Sequence, residues 1–204
     1  MRSVLISAAF ILAASSAAQA ETRSLTGFDR ISASGGTHVE VSIGPSFSVE
    51  VEGRDAAQIV TRVASGRLIV EPVRGGWRIR GRRQALVRVT MPSLDALDAS
   101  SGAEISARGV AADDLALEAS SGAGLNVAGA CRALAAGASS GARISARDLH
   151  CETGSVEASS GADAAISVSG VLNVDASSGA SVVASGDPHI GDISLSSGAS
   201  LRRQ

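Results

Sequence analysis

Alternating apolar and polar residues recur with a period of about twenty positions in the second half of the chain. The tetrapeptide Ser-Ser-Gly-Ala occurs six times there and marks the centre of each repeat. Its glycines are Gly102, Gly122, Gly141, Gly161, Gly179 and Gly198, spaced by 20, 19, 20, 18 and 19 residues. A fixed period in this range is typical of stacked repeat architectures.

The residues around each glycine alternate as they do in half-buried strands. Apolar residues stand five positions before it, at Leu97, Leu117, Ala136, Val156, Val174 and Ile193. The next position is mostly acidic and comprises Asp98, Glu118, Gly137, Glu157, Asp175 and Ser194. Alternation resumes after the glycine, so each repeat predicts two short strands joined by a Ser-Ser-Gly corner.

A single repeat of this kind cannot bury its apolar face, whereas coils stacked about 4.8 Å apart form a continuous core and a continuous backbone ladder. The sequence therefore predicts an all-β fold, a right-handed parallel β-helix (β-solenoid) with 19–20 residues per coil. Glycine at the corner would supply a positive φ, and serine hydroxyls can bond the local backbone. We assign the corners a structural role.

The first twenty residues have the layout of a secretory signal, with Arg2, an apolar run from Val4 to Ala14, and a small-residue end at Ala18-Gln19-Ala20. Cleavage is expected after Ala20, with export to the periplasm, the cell surface or the extracellular medium. The apolar run is shorter than the roughly 20 residues that cross a bilayer, and we expect no transmembrane segment.

The remaining chain divides into two parts. Residues 93–204 hold the regular repeats. Residues 21–92 contain less regular strands, and the segment Ile31 to Gly36 resembles a degenerate first corner. We interpret 21–92 as the amino-terminal section of the same solenoid, with a separate small β-domain as the alternative.

Composition limits the partners and the catalytic chemistry that the chain can have. Without Arg2 the chain has 17 basic and 20 acidic residues, a net charge near −3 that disfavours a nucleic-acid partner. No lysine is present, which excludes catalysis by lysine. Aromatic residues after the signal are limited to Phe28, Phe47 and Trp77, as expected for a thin core of small side chains.

Two cysteines occupy neighbouring repeats. Cys131 and Cys151 lie nine and ten residues after Gly122 and Gly141, so they should stand almost directly over each other on adjacent coils. A spacing near 5 Å is within disulfide reach, and an oxidising compartment favours the bond. Two free buried thiols are the alternative.

Charged residues form two groups. Arg78, Arg80 and Arg82 share one face of a predicted strand, where they could bind an anionic envelope polymer or a partner protein, or pair internally with Glu50, Glu52 and Glu71. The acidic positions of the repeats are interpreted as a solvated polar face that discourages sideways aggregation, with weak attraction of cations as the alternative.

Motifs for catalysis or metal binding are weak. The segment Gly137 to Gly141 matches the Gly-x-Ser-x-Gly nucleophile elbow, but that elbow requires a strand-to-helix turn, whereas Ser139 belongs to a corner that occurs six times. His38, His150 and His189 share no ligand-like spacing. We predict no catalytic residue, no metal site and no cofactor.

Several segments resemble those of the auto-transporter adhesin family with a head GIN domain, a bacterial family of undefined function. The resemblance begins near Leu25 and extends to the carboxyl end. Its carriers are Phe28 to Ile31, Gly35 to Val41, Phe47 to Gly53, Leu68 to Val70, Val89 to Pro92, the Ser-Gly repeats, and Gly186 to Pro188. The resemblance implies an exported β-helical protein linked to adhesion and supplies no catalytic residues.

Two function classes remain. The first is a non-enzymatic envelope structural or interaction protein, adhesin-like, whose partner is an envelope protein or polysaccharide. The second is a polysaccharide-binding or polysaccharide-processing β-helix, which would normally show aromatic platforms or clustered carboxylates. We favour the first. The last repeat reaches Leu201 to Gln204 without an obvious cap, so an open strand edge there could support self-association.

Overall fold

The computed structural model describes residues 20–73 and 85–204, which form sixteen strands and one 3-10 turn at Ala56–Gln58. The strands before the repeats are β1 Glu21–Arg23, β2 Arg30–Ser34, β3 His38–Ile43, β4 Ser48–Glu52, β5 Ile59–Ala64, β6 Arg67–Pro72 and β7 Leu86–Met91. Those of the repeats are β8 Ala96–Ser100, β9 Glu104–Ala119, β10 Gly124–Ala138, β11 Arg143–Ala158, β12 Asp163–Val168, β13 Val171–Ala176, β14 Ser181–Ser185, β15 His189–Leu195 and β16 Ser200–Arg203.

Each repeat forms one coil with an arm before the corner and an arm after it. The pre-corner arms pair in parallel in the order β6, β2, β8, β9, β10, β11, β13, β15. The post-corner arms pair in parallel in the order β7, β3, β9, β10, β11, β12, β14, β16. Strands β9, β10 and β11 bend and contribute to both ladders. The parallel β-solenoid predicted from the repeat is confirmed.

The register aligns the apolar positions that the sequence placed in one column. Leu97 pairs with Leu117, Leu117 with Ala136, and the same column continues through Val156 and Val174 to Ile193. Leu97 and Leu117 are 1% and 0% exposed, because a coil covers them on both sides. The core is therefore a thin stack between the two arms.

The amino-terminal strands are arranged in the sheet in an order that differs from their order along the chain. Strands β2 and β3 pair directly with β8 and β9, while β6 and β7 lie on their other side. The end of the solenoid is closed by antiparallel strands, with β4 on β7, β1 on β4, and β5 on β6. These strands belong to the same sheet as the repeats.

The corner is a tight turn in which two consecutive residues are left-handed. Ser101 has φ 53° and Gly102 has φ 73°, and the amide of Ala103 donates to the Ser100 carbonyl at 3.1 Å. Positive φ at both central residues is the type I′ pattern. The Gly102 amide donates to the Ser121 carbonyl of the next coil at 3.1 Å, so the corners also form a ladder.

The ladder of corner hydrogen bonds continues to the degenerate corner in the segment Ile31 to Gly36. Gly35 and Gly36 have φ 67° and 73°, and the Gly36 amide donates to the Ser101 carbonyl at 3.0 Å. Sequence reasoning assigned positive φ to the glycine alone. It missed the second serine of each corner, whose left-handed backbone is unusual for a residue with a side chain.

Two glycines of one coil should respond differently to substitution by alanine. Gly122 has φ 71° with open space where a Cβ would lie, so Gly122→Ala should lower the free energy of unfolding by about 1 kcal/mol through backbone strain alone. Gly124 lies in a strand, and its Cβ would make an ordinary contact 3.7 Å from Glu104 Cγ. Gly124→Ala should therefore be neutral or slightly stabilising. Urea denaturation followed by circular dichroism compares the two, and equal destabilisation would contradict this account.

Candidate functional site

The pre-corner arms present a row of acids to the outside. The register stacks Asp98, Glu118, Gly137, Glu157 and Asp175 on successive coils. The first serines of the corners form a parallel row beside them. A shallow hollow of about 280 Å³ lies between the rows and is lined mainly by Glu118, Gly137, Glu157 and Asp175 with the adjacent serines.

The absent side chain at Gly137 makes room for Glu118. A Cβ at Gly137 would lie 2.8 Å from Cδ of Glu118, so the carboxyl group lies over the glycine. Partial burial of this carboxyl raises the pKa of Glu118, and the negative charges of Asp98 and Glu157 raise it further. At the amino-terminal end of the row, Arg67 pairs with Asp98 at 3.2 Å.

The raised pKa predicts that charge on Glu118 destabilises the fold. The folded protein holds this proton more tightly than the unfolded chain, so the group's contribution to stability is lost as pH rises from the ordinary glutamate value through the raised one. Glu118→Gln should therefore raise the free energy of unfolding at pH 7 by about 0.5 kcal/mol, the scale of cross-strand charge pairs.

The measurement is the difference in melting temperature between Glu118→Gln and the unmodified chain at pH 7 and at pH 4. The gain should shrink at pH 4, where Glu118 is mostly protonated and so resembles the uncharged glutamine. Glu152→Gln, on an exposed position outside the row, is the matched control. A gain that is equal at both pH values, or equal in the control, would contradict the interpretation.

The post-corner arms carry a different hollow, of about 430 Å³, centred on Gly124. Glu104 and Arg143 stand on the coils to either side of it. Both are held in place, since Glu104 contacts His38 Nε2 at 2.8 Å and Arg143 contacts Asp163 at 3.2 Å. Asn126 and the serines of the neighbouring column complete a polar lining.

An ion cluster lies at the amino-terminal end of the same arms. Arg88 on β7 contacts Glu40 of β3 at 3.3 Å and Glu52 of β4. The hydrogen bond to Glu40 and the charge of Glu52 raise the pKa of the Arg88 guanidinium. Glu71 contacts Arg62 at 3.5 Å. Glu52 and Glu71, two of the three acids considered as partners for Arg78, Arg80 and Arg82, therefore each contact another arginine.

The basic strand itself, Arg78, Arg80 and Arg82, lies outside the described residues, as does the signal segment up to position 19. The interaction assigned to that strand stays a prediction. So does cleavage after Ala20.

The disulfide between Cys131 and Cys151 is present and confirms the favoured prediction. The two residues are register partners on β10 and β11, with their Cα atoms 4.5 Å apart. Both are buried. The bond therefore joins two neighbouring coils from inside the solenoid.

The residues of the candidate chemical motifs lie apart from one another. Ser139 begins a corner between two strands, and its amide donates to the Ala119 carbonyl at 3.0 Å. His38 pairs with Glu104, His150 Nδ1 lies 3.2 Å from the Ser167 hydroxyl, and His189 begins β15. Within residues 20–73 and 85–204, no three His, Cys, Asp or Glu side chains are grouped as metal ligands.

Sequence reasoning missed the contact of His38 with Glu104 and the gap that Gly137 makes for Glu118. The signal for the second was present, since Gly137 interrupts an otherwise acidic column. The described residues form no helix of the length and hydropathy that crossing a membrane requires.

The chain matches one family model and is similar in fold to several solved structures. Residues 27–188 match the family model described as "Putative auto-transporter adhesin, head GIN domain". No curated protein matches the chain. The fold is similar to that of a protein from Bacteroides fragilis NCTC 9343 whose crystal structure is described as a putative adhesin, with TM-score 0.72 and 14% identity over 93% of this chain and 98% of that one.

Two further solved structures are more distant. One is described as a putative lipid binding protein from Parabacteroides distasonis ATCC 8503, with TM-score 0.51 and 14% identity over 91% of this chain and 96% of that chain. The other is described as a putative adhesin from Parabacteroides merdae ATCC 43184, with TM-score 0.51 and 12% identity over 91% and 95%. At these identities the likeness shows a shared fold.

Proposed function

The chain belongs to the family described as "Putative auto-transporter adhesin, head GIN domain". From that premise we propose that it is an exported cell-envelope protein that acts by binding rather than by catalysis. In this proposal it is a structural or interaction module, adhesin-like, that presents a rigid β-solenoid surface to another envelope macromolecule. Its partner is an envelope protein or an envelope polysaccharide.

The observation that carries this proposal is the continuity of the ladder. Pre-corner arms pair from β6 to β15 and post-corner arms from β7 to β16, so the outward columns are fixed relative to one another along the solenoid. The interior is filled by core side chains, and the hollows at Gly124 and Gly137 are open and shallow. A surface held rigid before binding loses little conformational freedom on association, which favours extended contact with a macromolecule.

The basic strand is the part of this surface that we propose contacts the partner. Glu52 and Glu71, two of the acids named as internal partners for Arg78, Arg80 and Arg82, contact Arg88 and Arg62. Because each of these acids already has an arginine partner, an external partner is favoured for the basic strand. An anionic polymer of the envelope, or an acidic face of an envelope protein, is the complementary chemistry.

The test is capture from envelope extracts by the purified, immobilised chain, with bound material identified by mass spectrometry and by polysaccharide staining. The triple variant of Arg78, Arg80 and Arg82 to Ser should lose a specific partner, and capture should weaken as salt is raised. A matched triple variant changes Arg108, Arg132 and Arg147 to Ser, removing the same charge from exposed positions elsewhere.

The two variants separate the outcomes. Loss of the partner in the basic-strand variant alone supports the assignment. Equal loss in both variants would mean that net charge, rather than this strand, governs capture. Unchanged capture in the basic-strand variant would remove this strand as the binding surface, and no specific capture by the unmodified chain would count against an interaction role.

A second candidate function, binding of a polysaccharide in the Gly124 hollow, is favoured by its polar walls. Glu104 can accept and Arg143 can donate hydrogen bonds to sugar hydroxyls, with Asn126 between them. The residues that line this hollow include no aromatic side chain for a sugar to stack on. Binding of neutral envelope glycans that is lost in Arg143→Ala but kept in the basic-strand variant would favour this candidate.

A further inference from the structure

The last coil leaves core positions uncovered. Among the described strands, none pairs with β15 on the side away from β13, or with β16 on the side away from β14. Ile193 and Leu195 continue inward-facing columns, yet they are 51% and 41% exposed. Leu201 faces the same opening from β16. Exposed backbone edges and exposed apolar side chains thus coincide on one end of the solenoid, a combination that favours strand pairing with another chain.

The residue pattern of β15 is complementary to that of β16 when the two strands run antiparallel, as they could in two copies of the chain. Starting from the corner, the register places apolar residues inward and polar residues outward as far as Ile193 on β15 and Arg202 on β16. The register of β15 is irregular between Ile190 and Ile193. A twofold axis through Ser197 would place β15 of one copy antiparallel to β16 of the other. The opposed residues would be Asp192 with Arg202, Ile193 with Leu201, Ser194 with Ser200, and Leu195 with Ala199.

Among the six corners, only the last opposes an acid with an arginine at the positions three or five residues from this axis. The same axis on the coil of Gly102 would oppose Asp98 with Glu104, and on the coil of Gly161 it would oppose Glu157 with Asp163. The acidic column also stops before the opening, because Ser194 follows Asp175 in register. Like charges on directly opposed strands repel, and the last coil is free of that repulsion.

The charges available at this edge also fit the pairing. Arg203 is occupied within its own chain, where it contacts Asp187 at 2.8 Å and the Pro188 carbonyl at 3.2 Å. Arg202 points outward from β16 and has no partner among the residues described. Asp192 on β15 is likewise exposed. A twofold arrangement would therefore form two acid–base pairs from side chains that have no ion pair with another described residue of their own chain.

We propose that two copies of this chain associate end to end through β15 and β16, in a twofold dimer with Ser197 on the axis. The interface is isologous, so it closes at two copies and leaves the amino-terminal ends pointing outward. The two ladders and the two cores become continuous across it. The arrangement doubles the length of the rigid surface and is independent of the basic strand.

A charge-reversal cycle tests this arrangement by sedimentation velocity over a wide concentration range. The unmodified full chain should shift from monomer to dimer as concentration rises. Arg202→Asp and Asp192→Arg each oppose like charges twice per dimer, and each should weaken dimerisation at least tenfold. The double variant Asp192→Arg/Arg202→Asp restores both pairs and should return to within a few fold of the unmodified chain.

Arg147→Asp, which reverses an exposed charge far from the last coil, should leave dimerisation unchanged. Circular dichroism of each variant separates misfolding from dissociation. A monomer at all concentrations, a single variant that still dimerises fully, or a double variant that stays monomeric would each overturn the proposal. Growth into open-ended fibres would overturn the twofold closure. Envelope capture by the monomeric Arg202→Asp variant reports on the proposed function separately, because the basic strand is intact.

Discussion

Leu117→Ala is expected to lower the free energy of unfolding by about 3 kcal/mol. Leu117 is fully buried and stands between Leu97 and Ala136 on the adjacent coils. Alanine would remove three carbons of side chain and leave a cavity that the backbone ladders, fixed on both sides, cannot collapse to fill. The effect is measurable as a decrease in the urea midpoint followed by far-ultraviolet circular dichroism.

The matched control is Ile193→Ala, which lies in the same inward-facing column at its open end. Ile193 is half exposed, so its truncation removes little buried area and should cost less than about 1 kcal/mol in the monomer. The comparison is made at a concentration low enough to exclude association. Similar losses at both positions would contradict the conclusion that a coil on each side is what buries this column.

Removal of the disulfide is expected to have an effect of comparable size. The bond closes a segment of 20 residues, for which the loss of chain entropy in the unfolded state corresponds to roughly 3 kcal/mol. The double variant Cys131→Ala/Cys151→Ala should unfold at a correspondingly lower urea concentration. Hydrogen exchange should show the loss of protection concentrated in β10 and β11, which the bond joins.

The unmodified chain in a reducing agent provides the control, since it loses the bond without loss of side-chain volume. Its urea midpoint should approach that of the double variant, while the reducing agent should leave the double variant unchanged. An unmodified chain whose midpoint is the same with and without the reducing agent would contradict a stabilising role for the bond.

The regular half of the fold follows from the sequence because the corner glycine fixes the phase of every repeat. Once Gly102, Gly122 and Gly141 are aligned, side-chain alternation assigns each residue to the inside or the outside of the coil. Residues at equal distance from the glycine then stand over each other. The pairing of Cys131 with Cys151 follows from the same alignment, because their distances from the glycine differ by one residue only.

The sequence by itself thus determined the coil, its period, the core columns and the placement of the two cysteines over each other, since all of these depend on a local pattern repeated six times. It left the disulfide and two free thiols as alternatives, and the structure shows the bond. Only the tertiary structure decided how the amino-terminal strands pair. Alternation is the same in parallel and antiparallel strands, so it could not predict that β4 runs antiparallel to β7. Nor could it predict that β2 lies between β6 and β8, or β3 between β7 and β9. The contact of Glu118 over Gly137 was decided there too, because it depends on the side chain that the neighbouring coil lacks.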